Sequence, residues 1–258
     1  MSDKASIKEL FKAGAHYGHQ RSRTDARSSD YIYAFKNKVA VIDLEKTQKA
    51  INDISNFVSK KASEGSIFLL VGTKLQAQEA IKKHAEELKM PYVISRWPGG
   101  LITNFDVVIK SIKRMVKTEK DLAEGKFDHL TKNEKLKIEK NLKKSENIFG
   151  GLKNLERMPD VLIVVDAINE QIAIKEANHK NIPVIALCDT NSNPKVIDYP
   201  IVSNDDSRST IDLIIGILAK TIKENFKEKV QQTEVEERVE KAIEKSKETT
   251  KDGKAKRA

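Results

Sequence analysis

Three stretches of this 258-residue chain are apolar at consecutive positions rather than at alternate ones: SIFLLVG (66–72), DVLIVVD (160–166) and PVIALCD (183–189). A strand hides consecutive side chains only when both of its faces are covered, the situation of parallel sheets flanked by helices. The segments between them agree. KLQAQEAIKKHAEEL has the period of a helix, YVIS (92–95) reads as a strand, and NEQIAIKEANHK (169–180) is a second helix. YPIVS (199–203) reads as a further strand, and an apolar helix spans Ser207 to Lys223. Strand–helix alternation of this kind specifies the α/β class: a parallel sheet of flavodoxin or Rossmann type, helices on both faces.

Ahead of the first run, residues 6–13 form an amphipathic helix with Ile7, Leu10 and Phe11 on one side. GHQRSRTDARSSD (18–30) reads as an irregular surface segment, YIYAF and KVAVIDL as short strands. A helix from Glu45 to Lys61 carries the stripe Ile51, Ile54, Val58. Between the two halves of the sheet, residues 105–152 hold no strand-like run. Val108, Ile112, Met115 and Leu122 recur at helical spacing, as do Ile138, Leu142, Ser145 and Phe149. Thr131 with Glu134 three positions later is a capping box. The expected insert is therefore a two-helix antiparallel coiled coil. This divides the chain into a discontinuous α/β domain (1–104 and 153–225), a hairpin (105–152) and a charged tail (226–258) too poor in apolar residues to pack.

Enzymatic signatures are scarce. VGTK after the first run lacks the second glycine of a phosphate loop, and no Gly-x-Gly-x-x-Gly, G-x-S-x-G or H-E-x-x-H occurs. Thr73 there reads as a helix cap. Asp166, Asp189 and the pair Asp205–Asp206 fall at or just past strand ends, where open α/β sheets bind ligands. With His19 they offer mixed N/O ligands for a divalent cation, Zn or Mg, and Asp189 and Asp205 are the aspartates named with it; alternatively they cap turns such as DTNSNP and NDDS. A metal-dependent α/β enzyme using that crevice is the rival to a binding function. His16 reads as structural; His84, His129 and His179 read as surface positions. One cysteine, Cys188, excludes an internal disulfide and points to a reducing cytoplasm, and MSDKASIKELFKAG holds no signal-peptide apolar run.

The basic side of the chain is fuller. Net charge is +9, which points first to nucleic acid, while 5% aromatic residues argue against a reader that stacks rows of bases. Lys110, Lys113, Lys117 and Lys120 form one helical stripe with Arg114 beside it; this is a phosphate-binding edge or a solvated helix face. Arg21, Arg23 and Arg27 cluster in the segment after GHQ. SRWPGGLITNF (95–105) sets Arg96 and the chain's one tryptophan, Trp97, in a glycine-rich loop, either against nucleic acid or as a plug between sheet and hairpin.

These residues also carry a resemblance. LFKAGAHYGHQ, VAVIDLEKT, LLVGTK with QAQEAI, SRWPGGLITNF, IFGGLKNLERMPDVLIVVD, AIKEANHKNIPVIALCDTNSNP and VSNDD stand in the order found in the bacterial small-subunit ribosomal protein S-two family. The resemblance spans about residues 5–225. It implies a parallel-sheet domain interrupted by a coiled coil, no enzymatic activity, and no required cofactor. It also implies binding to small-subunit ribosomal RNA and neighbouring small-subunit ribosomal proteins at the head–body junction, and recruitment of the mRNA-binding ribosomal protein S-one. Neither DNA nor a membrane is implied as a partner. The family's ion position, where members hold one, maps onto His19, Asp189 and Asp205. RNA contacts are then expected from Arg21, Arg23, Arg96, Trp97, Lys110, Lys113, Arg114 and Lys117. The chain departs from the family where Trp-Asn-Pro-Lys usually follows GHQ, and in reading RWPGG for RWLGG.

Overall fold

A computed structural model describes residues 6–226. In chain order the elements are α1 (Ile7–Ala13), β1 (Tyr17–Gln20), β2 (Ile32–Lys36), β3 (Val39–Ile42), α2 (Leu44–Ser63), β4 (Phe68–Val71), α3 (Leu75–Leu88) and β5 (Tyr92–Val93). They continue with α4 (Phe105–Ala123), α5 (Lys132–Phe149), β6 (Val161–Val165), α6 (Gln171–His179), β7 (Val184–Cys188), β8 (Tyr199–Val202) and a helix α7 at 208–226. The tail segment from 227 onward lies outside the described residues.

The three apolar runs become β4, β6 and β7, each buried at every position. They sit inside a five-stranded parallel sheet in the order β5-β4-β6-β7-β8. Side chains alternate across the sheet. Phe68, Leu70, Ile163, Val165 and Leu187 enter one core layer with α2, α3 and α7, and Leu10 of α1 joins them. Leu69, Val71, Leu162, Val164 and Ala186 enter the other, with α6 and the start of α4. The predicted stripe Ile51, Ile54, Val58 is buried as expected. From β4 the chain moves outward to β5; from β6 it moves the opposite way. The strand order therefore reverses between β4 and β6, where such sheets bind ligands.

Several expectations are corrected. GHQRSRTDARSSD is not irregular: its first residues belong to β1, which with β3 and β2 makes a three-stranded antiparallel sheet, and two short 3-10 turns follow (Arg21–Arg23 and Ala26–Tyr31). β1 is partly polar and takes its order from pairing with β3, so no apolar pattern announces it. Gly18 permits the close approach, since a Cβ there would lie 2.8 Å from Thr190 Cγ2. YVIS supplies only two strand residues. On α1 only Leu10 is buried, while Ile7 and Phe11 remain exposed; Phe11 stacks on His16 with ring centroids 4.3 Å apart. His84 is not a surface residue: it is buried against α7, with Nε2 2.8 Å from Asp212 Oδ1.

Residues 105–152 form two helices joined by a turn, as the spacing predicts. The expected box at Thr131 forms, with the Thr131 side chain accepting the Glu134 N–H and the Glu134 carboxylate accepting the Thr131 N–H. Val108, Ile112 and Met115 of α4 are buried, but no residue from 116 to 151 is. The pair of helices thus leaves the core one turn past Ile112 and returns at Leu152. Gly151 makes the return possible by packing on β5, where a Cβ would come within 2.3 Å of the Tyr92 carbonyl oxygen.

Candidate functional site

The carboxyl ends of β4, β6, β7 and β8 open onto one crevice, and Lys74 fills its centre. The ammonium lies 2.6 Å from Asp205 Oδ1, 2.6 Å from Asp206 Oδ1 and 3.4 Å from Asp166 Oδ2. Burial works against that charge, but hydrogen bonds to Asp205 and Asp206 and the charge of Asp166 outweigh it and raise the lysine pKa. Asp205 itself is pushed up to about 7 by burial and by Asp166, against the pull of Lys74. Asp166 has a left-handed backbone (φ 70°), held by its own carboxylate accepting the N–H groups of Ile168 and Asn169. Glu170, whose pKa burial raises, accepts the Thr73 N–H at 2.9 Å. That amide, just before α3, is the kind a bound phosphate would use. The protein's own acid occupies it, and the Thr73 cap expected from VGTK is replaced by an uncapped Lys74.

β1 brings His19 to the rim of this crevice. Its Nδ1 lies 2.9 Å from Asp189 Oδ2, off the line of a well-formed hydrogen bond, and its Nε2 lies 3.8 Å from Asp206 Oδ2. Contact with Asp189, reinforced by the charges of Asp205 and Asp206, raises the imidazole pKa against the effect of burial. Among the described residues, ligand atoms of His19, Asp189 and Asp206 gather within 4.8 Å of one another. This changes one member of the expected trio. Asp205 is buried against Lys74, and the more exposed Asp206 takes its place, giving one oxygen to Lys74 and turning the other toward His19. The buried Asn191 Oδ1 nearby has no hydrogen-bond partner among the described residues. A nitrogen and two carboxylates suit a divalent cation, so the residues present fit such an ion.

The loop between β5 and α4 is organised from below by Glu176 of α6. Glu176 Oε1 accepts the Trp97 indole N–H at 3.0 Å and the Gly100 N–H at 2.8 Å. Oε2 accepts the N–H groups of Ile102 and Thr103 and the Thr103 hydroxyl, each at 3.1 Å. Burial alone would raise this carboxyl's pKa; the donors from Trp97, Gly100, Thr103 and Ile102 overcome it and hold the group below the ordinary value. Trp97 is only 7% exposed and packs with Leu101, Ile102 and Leu152. Its expected part in RNA contact is corrected, because base stacking needs an open ring face. It plugs the joint between sheet and helices, while its neighbour Arg96 stays exposed.

Cations on α4 present the clearest binding edge. Lys110, Lys113, Arg114, Lys117 and Lys120 are all exposed, and none has a carboxylate within ion-pair distance among the described residues. Neighbouring lysines differ: Lys126 pairs with Asp121 and Glu124, Lys135 with Asp128, and Lys153 with Glu119 and Glu146. Arg21 and Arg23 are exposed on a 3-10 turn, Arg21 lying over the Phe35 ring at 5.1 Å. Arg27 is spoken for, forming a two-pronged pair with Asp25 (2.9 and 2.7 Å).

Comparison with known proteins fixes the family. Residues 10–225 match the family described as Ribosomal protein S2. The chain belongs to the ribosomal protein S2 family. Similar S2 proteins are each named "Small ribosomal subunit protein uS2". The one from Porphyromonas gingivalis is 42% identical over 219 residues, covering 85% of this chain and 78% of its own. That of Acidobacterium capsulatum is 42% identical over 85% of this chain and 73% of its own. That of Salinibacter ruber is 41% identical over 86% and 70%. S2 proteins are structural and not enzymes, and the metal-dependent enzyme considered for the crevice is discarded with that assignment. The S2 match runs through both helices of the 105–152 insert and through the Trp97 loop. Two residues that organise the S2 site escaped the reading of the sequence, Lys74 and Glu176, while Asp206 was seen at the strand end but Asp205 was named in its place. Lys74 and Glu176 each act on groups 73 or more positions distant, a relation no local pattern encodes.

Proposed function

We propose that this protein is a structural constituent of the small ribosomal subunit, held to ribosomal RNA through phosphate contacts made by α4 and the loop before it. The observation that carries the reading is the row of exposed cations on α4 that have no ion pair among the described residues. Arg21, Arg23 and Arg96 extend the basic edge onto the sheet domain. Phosphate contacts fix position without reading sequence, so specificity comes from the shape of the folded RNA and from adjacent ribosomal proteins. The resemblance to S2 relatives adds the finer reading: a seat at the head–body junction, and capture of the mRNA-binding ribosomal protein S-one. The test uses tagged full-length protein expressed in its own cells. Wild type co-sediments with small subunits on a sucrose gradient, and a Lys110→Gln, Lys113→Gln, Arg114→Gln, Lys117→Gln variant moves to the top of the gradient. Full incorporation of the variant overturns the reading.

The crevice supports a second element of this proposal. His19, Asp189 and Asp206 would hold a divalent cation, and the imidazole in the donor set favours Zn over Mg. Such an ion would tie β1 to the ends of β7 and β8, a structural clip with no chemistry attached. Metal analysis of purified protein should find about one equivalent in the wild type and none in His19→Ala or Asp206→Asn. Equal metal content in all three sinks the clip.

A further inference from the structure

We infer that Glu176 is the residue that positions the basic arm, setting the direction in which α4 and α5 leave the sheet; the inference rests on the reading of α4 as the RNA-binding edge. Four residues of that arm's outward connection converge on this one carboxylate. The loop between β5 and α4 holds Arg96 and Trp97 and leads into the exposed cations. Four of its residues, Trp97, Gly100, Ile102 and Thr103, aim five donors at the two Glu176 oxygens. A carboxylate has about four lone-pair sites and no proton to give at neutral pH, so its whole hydrogen-bonding capacity goes to the loop. Charged acceptors make the stronger hydrogen bonds, and this one is buried, which shields it from competing water. Gly100 sits in the clamp with a left-handed backbone (φ 85°), the bend that turns its N–H onto Oε1. The inward connection is fixed separately. Gly151 packs on Tyr92, and the Ser95 hydroxyl donates to the Asn147 carbonyl. Glu176 touches none of those return contacts; its grip is on the outgoing loop, and it reaches the return only through Trp97, which shares a core cluster with Leu152.

The carboxylate is specifically required. In Glu176→Gln an NH2 group would face the Ile102 and Thr103 N–H groups or the Trp97 and Gly100 pair, donor against donor. The loop then detaches on one side while the apolar packing of Trp97, Leu101 and Ile102 is untouched.

The experiment compares full-length wild type, Glu176→Gln, the fourfold α4 variant and their combination. Each is measured for thermal midpoint, for amide exchange at Gly100, Ile102 and Thr103, and for affinity toward small subunits stripped of this protein across a salt series. Glu176→Gln should keep a single cooperative transition, lose protection at those three amides, and bind roughly tenfold more weakly, with a salt slope moved toward that of the fourfold variant. The combination should be little weaker than the fourfold variant, because cations on a misdirected arm have no phosphates left to lose. Wild-type affinity and salt slope in Glu176→Gln, alongside a weakened fourfold variant, overturn the inference. So does a combined loss equal to the sum of the separate ones. If the fourfold variant binds as wild type does, the RNA reading fails instead, and the amide exchange still decides whether Glu176 clamps the loop. Should Glu176→Gln not fold, Trp97→Phe removes one of the five donors and keeps the ring; unchanged exchange and salt slope there overturn the inference too.

Discussion

Glu176 and Lys74 are buried or half-buried charges of opposite sign, and each is kept by contacts to chain segments far away in sequence. For Glu176 this has a pH consequence. The folded state holds its carboxyl below the ordinary value of 4.5, so between that value and the lower folded pKa the unfolded chain binds more protons. The stabilisation is present above about pH 4.5 and is lost as pH falls through the folded pKa. Urea titrations of wild type and Glu176→Gln from pH 7 down to pH 3 should show the wild-type advantage constant at first, then shrinking. The shrinkage is limited to about 1.4 kcal/mol per pH unit, the slope of one proton. A difference independent of pH would mean that the folded and unfolded chains bind the Glu176 proton equally, with no lowering on folding. At this scale little was legible beforehand. Asp189 could be placed because it lies at the end of a strand that an apolar run reveals, whereas His19 was joined to it only as a candidate ligand, its own strand having no such run. Trp97 could not be placed, since its burial depends on an acid in a helix 79 positions later. His84 was misplaced for a similar reason: only the packing of α7 over α3 hides it.

Elements were far easier to foresee than individual contacts. β4, β6 and β7 declare themselves because double-sided burial leaves no polar residue in the run. β1 did not, because four residues containing Gly18 and His19 have no strand signature and borrow their geometry from β3. The inserted helices were visible from spacing and from the Thr131–Glu134 box, and these local signals matter more there than elsewhere. α5 has no buried residue, so its Thr131–Glu134 cap counts for more than it would in a helix held by a core. Thr131→Ala removes a cap worth about 1 kcal/mol. Its cost should appear as faster amide exchange over the first turn of α5, with the global unfolding midpoint nearly unchanged, since that turn is far from Phe149, where α5 meets the core, and no residue from 116 to 151 is buried. A drop in the global midpoint matching the loss of the cap would instead tie α5 to the sheet in one cooperative unit.

For the whole molecule, the distribution of charge decides what kind of partner the fold can hold. Some acidic groups are drawn inward, to the crevice around Lys74 and to the clamp at Glu176, while cations with no ion pair among the described residues stand on α4, on the 95–104 loop and on the turn after β1. A surface arranged in this way binds a polyanion by releasing its counterions, and the strength of the effect can be counted. If about six phosphates are neutralised with the slope of duplex nucleic acid, a rise from 50 to 200 mM salt weakens binding roughly 10³-fold. Replacing Lys110, Lys113, Arg114 and Lys117 by glutamine leaves about two contacts, so the same rise should cost only about tenfold. At low salt the variant is therefore much weaker than wild type, and at high salt the two converge. A platform that captured its ribosomal neighbours mainly through protein contacts would behave otherwise. Its affinity would decline gently with salt in both forms, and the two curves would run parallel. Converging curves identify phosphates as the partner of α4, whereas parallel ones move the anchoring surface to the sheet domain.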